Sequence, residues 1–262
     1  MIEGFLVVNF HEHPSDWVLS KNERMGIDMS VLLPVGNDAV EKAVRMSREN
    51  PDKFIPFYWI DPSGDLSDEP RRLRRAVEEW GVKGIKFQPL TQHWLPDDRR
   101  IYPIYEVCAE LGLVCTWHAG VVKLGHKYEL GRPMLARYAN PLPIDQVAFD
   151  FPELKICIAH MGGNYYYEAL VLAEKHENIY LDTAFLPFFW RRIFPPASPE
   201  MVIAHAARII GAEKILYGSE GLWPQAVIQA DLSDEEKRLI LGGNAIRLLG
   251  LKGSHPSPGV DR

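Results

Sequence analysis

The chain has 262 residues, of which 47% are hydrophobic and 24% charged, with a formal net charge of −6. That length and apolar content support one large domain with a sizeable core, and the acidic balance argues against a nucleic-acid or anionic-membrane partner. No apolar run reaches the ~18–20 residues that a membrane span needs. The opening residues MIEGFLVVNF lack the basic region and small-residue cleavage site of a secretion signal, so a cytoplasmic protein is expected. Cys108, Cys115 and Cys157 form no C-x-x-C pair and read as reduced core thiols.

In chain order, short β-branched runs alternate with longer helical patterns. Strands are expected at 5–10, 29–34, 54–60, 83–88, 113–118, 155–160, 178–183 and 214–218. Helices are expected at 37–49, 67–80, 100–111, 143–150, 163–176, 198–210 and 233–249, with Asn37, Ser67, Ser198 and Ser233 placed to cap four of them. Eight strand–helix alternations predict an α/β fold, a single-domain (β/α)8 TIM barrel over residues 1–251, followed by a flexible tail at 252–262. A doubly wound open sheet is the second choice, but no glycine-rich phosphate loop follows any strand. Two longer stretches after strands, 119–142 and 184–197, are candidate walls or lids of a site.

The histidines supply the functional signal. His11 and His13 close the first strand at positions i and i+2, which share one face. His118 closes the fifth strand and His160 the sixth, so four of nine histidines fall at one end of three strands. In barrels that end carries the catalytic groups, and converging neutral imidazoles suit Zn²⁺ or a similar ion. The bland alternative is four unrelated polar strand ends. Counting three residues back from His118 and His160 by the same face rule points Cys115 and Cys157 outward, toward the helices.

Over nearly the whole length the sequence resembles the amidohydrolase superfamily, in its amidohydrolase-related branch of metal-dependent barrel hydrolases and decarboxylases. The resemblance lies in NFHEH at 9–13, GIKFQPLTQHW at 84–94, the stretch ending in TWHAG at 116–120, CIAHMGG at 157–163, NIYLDTA at 178–184, KILYGSE at 214–220 and GGNAIRLLGL at 242–251. It implies a metal held by His11, His13, His118 and Glu220, with His160 binding the metal or polarising the substrate. Three positions depart from the family pattern: Asn9 replaces an acidic residue, Gln88 stands where relatives commonly carry His, and Glu220 replaces an aspartate.

The implied activity is hydrolysis of a small amide, ester or lactone by a metal-activated water, whose pKa falls to ~7 on a bound divalent ion. His160 and Glu220 are the expected catalytic groups, His160 as hydrogen-bond donor and Glu220 as proton acceptor. Nonoxidative decarboxylation or hydration of a small carboxylate is the alternative, and a barrel that has lost catalysis and only binds ligand is the second. One ion is expected, Zn²⁺ first, then Mn²⁺, Fe²⁺ or Co²⁺. Binuclear relatives carboxylate a lysine on the fourth strand, but for Lys86 an anion-binding ammonium or a lysine pointing elsewhere are the plainer readings. Lys86, Gln88, Trp94, Trp117, His126 and Trp223 are the expected substrate contacts, and Trp59, Gln92, His93, Lys123, Tyr165, Arg191 and Arg192 lie near the same strand ends. Such aromatic and cationic residues suit a planar, anionic small molecule. Asp182 reads as structural, with a supporting role to a ligand open to it. A homo-oligomer is possible.

Overall fold

The computed structural model describes residues 4–121, 127–129, 131–189 and 196–251. The expected tail, together with Lys123, His126, Arg191 and Arg192, lies outside the described residues. The strands are β1 Val8–Glu12, β2 Met29–Leu32, β3 Phe54–Pro56, β4 Tyr58–Trp59, β5 Gly84–Phe87, β6 Val114–Trp117, β7 Tyr128–Glu129, β8 Arg132–Pro133, β9 Lys155–Ile158, β10 Ile179–Asp182 and β11 Ile215–Leu216. The helices are α1 Val18–Met25, α2 Asn37–Glu49, α3 Glu69–Trp80, α4 Pro89–Gln92, α5 Tyr102–Leu111, α6 Ile144–Asp150, α7 Tyr166–Lys175, α8 Leu186–Phe189, α9 Pro199–Ile210, α10 Gln225–Gln229, α11 Asp234–Arg238 and α12 Asn244–Leu249.

Parallel pairing runs β1-β2-β3 and β4-β5-β6-β9-β10-β11, while β7 and β8 form a separate antiparallel hairpin. Two backbone contacts close the cylinder. The Phe10 N–H donates to the Tyr217 carbonyl at 2.7 Å, and Phe57, between β3 and β4, donates to Leu32 at 3.1 Å. β3 and β4 are therefore one barrel strand broken at Phe57, and every strand expected from the sequence is present. The result is a (β/α)8 TIM barrel.

Alternation along each strand splits the core in two. Val8, Phe10, Val31, Ile55, Phe57, Val114, Cys157 and Leu216 pack together along the barrel interior. Ile85, Phe87, Cys115, Trp117, Ile156, Ile158 and Leu181 pack outward with helix residues such as Ile104, Tyr105 and Ala169. Burying that outer layer is worth roughly 25 cal/mol per Å² of apolar surface and dominates the stability.

Most helix boundaries fall within three residues of expectation, with three differences. Ser198 caps α9 through the Met201 N–H, and Ser233 forms a full capping box with Glu236 at α11. Asn37 and Ser67 do not cap: Gly36 and Asp68 occupy those positions, and Ser67 bonds Asp65 instead. The expected last helix is interrupted, because residues Leu239–Gly243 form a π turn between α11 and α12. There a Cβ on Gly242 would meet the Leu6 carbonyl at 2.5 Å, so glycine lets this turn lie against the first strand.

Candidate metal centre

The carboxyl ends of β1, β6, β9, β10 and the turn after β11 bring their polar side chains together. His11 is fully enclosed, and its Nδ1 donates to Asp182 Oδ2 at 2.8 Å. His13 Nδ1 donates to the Leu33 carbonyl at 2.8 Å. Both rings therefore carry their lone pair on Nε2, and both Nε2 atoms face Glu220, at 3.6 Å for His11 and 3.7 Å for His13. His160 Nδ1 stands 3.6 Å from the same carboxylate. His11, His13 and Glu220 form one group of close ligand atoms; His11, His160 and Asp182 form another. A hydrogen bond from the far nitrogen to a carboxylate or carbonyl fixes the tautomer and orientation of a metal-binding imidazole.

The backbone holds these rings by unusual means. His160 and Met161 adopt left-handed conformations (φ 60° and 48°), which ends β9 and turns the His160 ring inward. Asp182 Oδ1 accepts the His160 and Ala184 N–H groups at 2.8 and 3.0 Å, locking that turn to the end of β10. Gly163 follows because a Cβ there would lie 2.9 Å from Gly120 Cα and 2.8 Å from the Phe189 ring.

Asn9 has a supporting role. Its Oδ1 accepts the His11 and Ser219 N–H groups at 3.1 and 2.8 Å, stitching β1 to the turn that carries Glu220. Its Nδ2 donates to Glu12 and to Ser219 Oγ. Buried Glu12 in turn accepts from Lys21 Nζ, which reaches in from α1 and also donates to Ser219 Oγ at 2.9 Å.

The electrostatics favour neutral imidazoles facing carboxylates. Burial lowers the His11, His118 and His160 pKa values, that of His160 to about 4. Burial alone would raise Asp182, but His11 and His160 outweigh it and hold the carboxyl at about 2. For Glu220 burial raises the pKa, but the neighbouring His13, His11 and His160 rings outweigh it and hold the carboxyl well below the carboxylate range.

These donors fit a divalent cation. His11 Nε2 and Glu220 Oε2 are buried and have no hydrogen-bond partner among the described residues. His118 Nε2 contacts the Gly120 carbonyl at 3.0 Å and His160 Nδ1 the Ala184 carbonyl at 3.1 Å, while the inner nitrogens meet at 3.2 Å. If each outer nitrogen donates, two neutral rings turn lone pairs toward each other, an arrangement that needs a proton or a cation. Such a cluster is stabilised by an ion that N and O donors accept together.

The expected site residues divide. His11, His13, His160 and Glu220 converge, while His118 joins this group through His160. Lys86, only 1% exposed, shares the barrel interior with Asp182, Glu220 and Cys157, and its Nζ has no hydrogen-bond partner among the described residues. Burial lowers its pKa, against the raising charges of Asp182 and Glu220. Gln88 is buried at the start of α4, where its N–H is held by Gln92.

Three expectations need correction. Trp117 (0% exposed) stacks on Phe87 with centroids 5.0 Å apart, and Trp94 (4%) packs edge-on to the same ring; both belong to the layer beneath the helices. Trp117 lies one residue before His118 on β6, and alternation turns it outward. Trp223 is not part of that layer: it lies in the turn after β11, 47% exposed. Cys157 packs inside the barrel, 3.8 Å from Asp182, because the left-handed His160 breaks the alternation on which the outward reading relied.

Asp182, read from the sequence as structural with a supporting role to a ligand open to it, is the partner that orients His11. One functional feature was missed. Phe185 and Phe189 flank His160 at 6.2 and 5.9 Å, and the FLPFF run just after β10 is their only sequence sign.

A closed barrel with imidazoles and carboxylates gathered on its carboxyl-end rim defines a metal-dependent barrel enzyme. The chain belongs to the amidohydrolase family, whose model (Amidohydro_2, "Amidohydrolase") matches residues 3–251. It is 25% identical over 248 residues to 2-amino-3-carboxymuconate-6-semialdehyde decarboxylase of Dictyostelium discoideum, covering 82% of this chain and 65% of that protein, so it spans just under two thirds of that relative. In structure it is similar to 4-oxalomesaconate hydratase of Rhodopseudomonas palustris (TM-score 0.66, 22% identity, 94% and 96% of the two chains). It is also similar to 5-carboxyvanillate decarboxylase of Novosphingobium aromaticivorans complexed with manganese and 4-hydroxy-3-methoxy-5-nitrobenzoic acid (TM-score 0.71, 15% identity, 95% and 97%). Among the described residues no helix is long and apolar enough to cross a membrane.

Proposed function

We propose that this protein is a metal-dependent, nonoxidative decarboxylase of a small unsaturated or aromatic carboxylate. The observation that carries the reading is the rim cluster itself, with unpartnered lone pairs on His11 and Glu220 beside neutral His160. The decarboxylase relative favours carbon–carbon cleavage over the hydrolysis expected from the sequence. His11, His13, His118 and Glu220 would hold one divalent ion, Zn²⁺ or Mn²⁺; the ion supplies fixed positive charge that binds substrate oxygens and draws electrons from the reacting carbon.

The chain's own groups do the rest. Asp182 keeps the His11 Nε2 lone pair toward the site. His160 would exchange its Nδ1–H contact with the Ala184 carbonyl for a substrate oxygen as charge develops on that oxygen. The bond from carbon to carboxylate breaks with its electron pair left on carbon, and CO₂ departs. Glu220, an anion at rest, accepts a proton from substrate or solvent and returns it to that carbon, so the carboxylate is replaced by hydrogen. Lys86 offers a donor for an anionic group. The partner is a small molecule, and we place the protein in the cytoplasm.

Hydration of a double bond is the second reading, favoured by the hydratase neighbour. Incubation of the metal-loaded protein with a panel of aromatic and unsaturated carboxylates separates the two. Decarboxylation gives one CO₂ per C–H product; a product heavier by one water indicates hydration, and neither product from any acid overturns both readings.

A further inference from the structure

We infer that Phe185 is a specificity-determining residue, its ring forming a stacking face for the flat π-system of the substrate beside His160. The inference deepens the decarboxylase reading by fixing the substrate class as planar and conjugated at the carbon next to the carboxylate.

The backbone carries the argument. Phe185 has φ 59°, a left-handed conformation that Gly or Asn adopts readily and a bulky residue adopts only at a cost. The preceding residues leave no freedom to relax it. The Thr183 N–H donates to Leu216 and Thr183 Oγ1 to the Gly218 carbonyl, while the Ala184 N–H is held by Asp182 Oδ1. The Ala184 carbonyl contacts His160 Nδ1, and a Cβ on Gly218 would lie 2.9 Å from Ala184 Cβ. The strand end that orients His11 and His160 thus throws the next side chain across the site.

The ring lands where a substrate would need a wall. Its centroid is 6.2 Å from His160, and it is half-buried rather than enclosed, unlike Phe189 behind it. Phe188 and Phe189 back it at 4.8 and 5.9 Å, a tilted and an edge-on contact that fix the ring plane. Trp94 and Trp117, two of the tryptophans expected to recognise an aromatic substrate, are buried in the layer beneath the helices, and among the described residues this phenylalanine group supplies an aromatic surface against His160. A flat conjugated acid gains from an offset-stacked or edge-on ring; a puckered saturated acid of the same size gains only burial.

The test measures binding and needs no turnover. Metal-loaded protein is titrated calorimetrically with 4-nitrobenzoate and with cyclohexanecarboxylate, for the parent chain and for Phe185→Leu and Phe185→Tyr. The parent is expected to prefer the planar acid by about 3- to 10-fold, the range that one aromatic contact supplies. Phe185→Leu should reduce that preference to below about 2-fold while leaving the affinity for the saturated acid unchanged, and Phe185→Tyr should retain it. No preference in the parent, or an equal loss for both acids in Phe185→Leu, overturns the inference. Because both probes are inert, a planar preference abolished by Leu and kept by Tyr sustains it even if no acid in the panel is decarboxylated, an outcome that sinks only the proposed reaction.

Discussion

His118 and His160 meet ring nitrogen to ring nitrogen at 3.2 Å, deep in the barrel mouth, each with its other nitrogen against a backbone carbonyl. Burial opposes a proton on either ring. The contact is therefore a place where a cation relieves the structure, and it joins the fifth-strand histidine to the cluster built by the first, sixth and seventh strands.

Metal should bind with Asp182 as a partner at one remove. Asp182→Asn keeps the shape but presents the wrong charge to His11 Nδ1. Loss of an orienting carboxylate typically weakens metal binding 10- to 100-fold. Competition with a chromophoric chelator measures it, and an affinity within 2-fold of the parent would rule the role out.

The metal-free protein should lose stability in mild acid. The His160 pKa is about 4 in the folded chain against an ordinary 6.5, so between those values the unfolded chain binds the additional proton. Stability therefore falls as pH drops from about 6.5 to 4, by about 3 kcal/mol from this ring alone. His11 and His118 are displaced in the same direction and add to it. Urea melts at pH 7, 6, 5 and 4.5 in the presence of a chelator test the slope; a flat profile contradicts it.

The tether from α1 is expected to be costly to cut. Lys21→Met strands the Glu12 carboxylate in a buried position and removes a donor to Ser219, the neighbour of Glu220. Removing one partner of a buried ion pair costs about 3–5 kcal/mol, and replacing both with apolar residues restores much of it. Chemical denaturation of Lys21→Met and of Lys21→Met with Glu12→Leu gives both figures.

The two tryptophans that flank the site in sequence should behave differently. Trp117→Ala empties a closed position against Phe87 and Tyr105, with a loss of about 3–5 kcal/mol. Trp223→Ala, at a site 47% exposed, should change stability by less than about 1 kcal/mol. Thermal melts compare them directly.

Glu220 can be tested by charge and by length. Glu220→Gln keeps the reach and removes the proton acceptor, so turnover on any substrate found should fall at least about 100-fold, the usual worth of a placed acid–base group. Retained turnover in that variant removes Glu220 from the proposed proton path.

Much of this molecule follows from local pattern. Alternating apolar runs determine the strands, 3.6-residue periodicity the helices, and the repeat of the two the barrel, because each parallel crossover needs a helix to cover the sheet. The position of His11, His13, His118 and His160 at strand ends follows from the same counting, since strand ends in a parallel barrel share one rim. Period counting fails where the backbone leaves its regular course. The left-handed turn at His160 reversed the face assigned to Cys157, and alternation within β6 took Trp117 out of the site that its nearness to His118 had suggested. What only the tertiary structure decided is which groups touch: Asp182 against His11, Asn9 across to Ser219, Lys21 onto Glu12, Phe185 beside His160. Most of these contacts join residues far apart in the chain or side chains turned by a non-repeating φ, and a one-dimensional pattern carries neither.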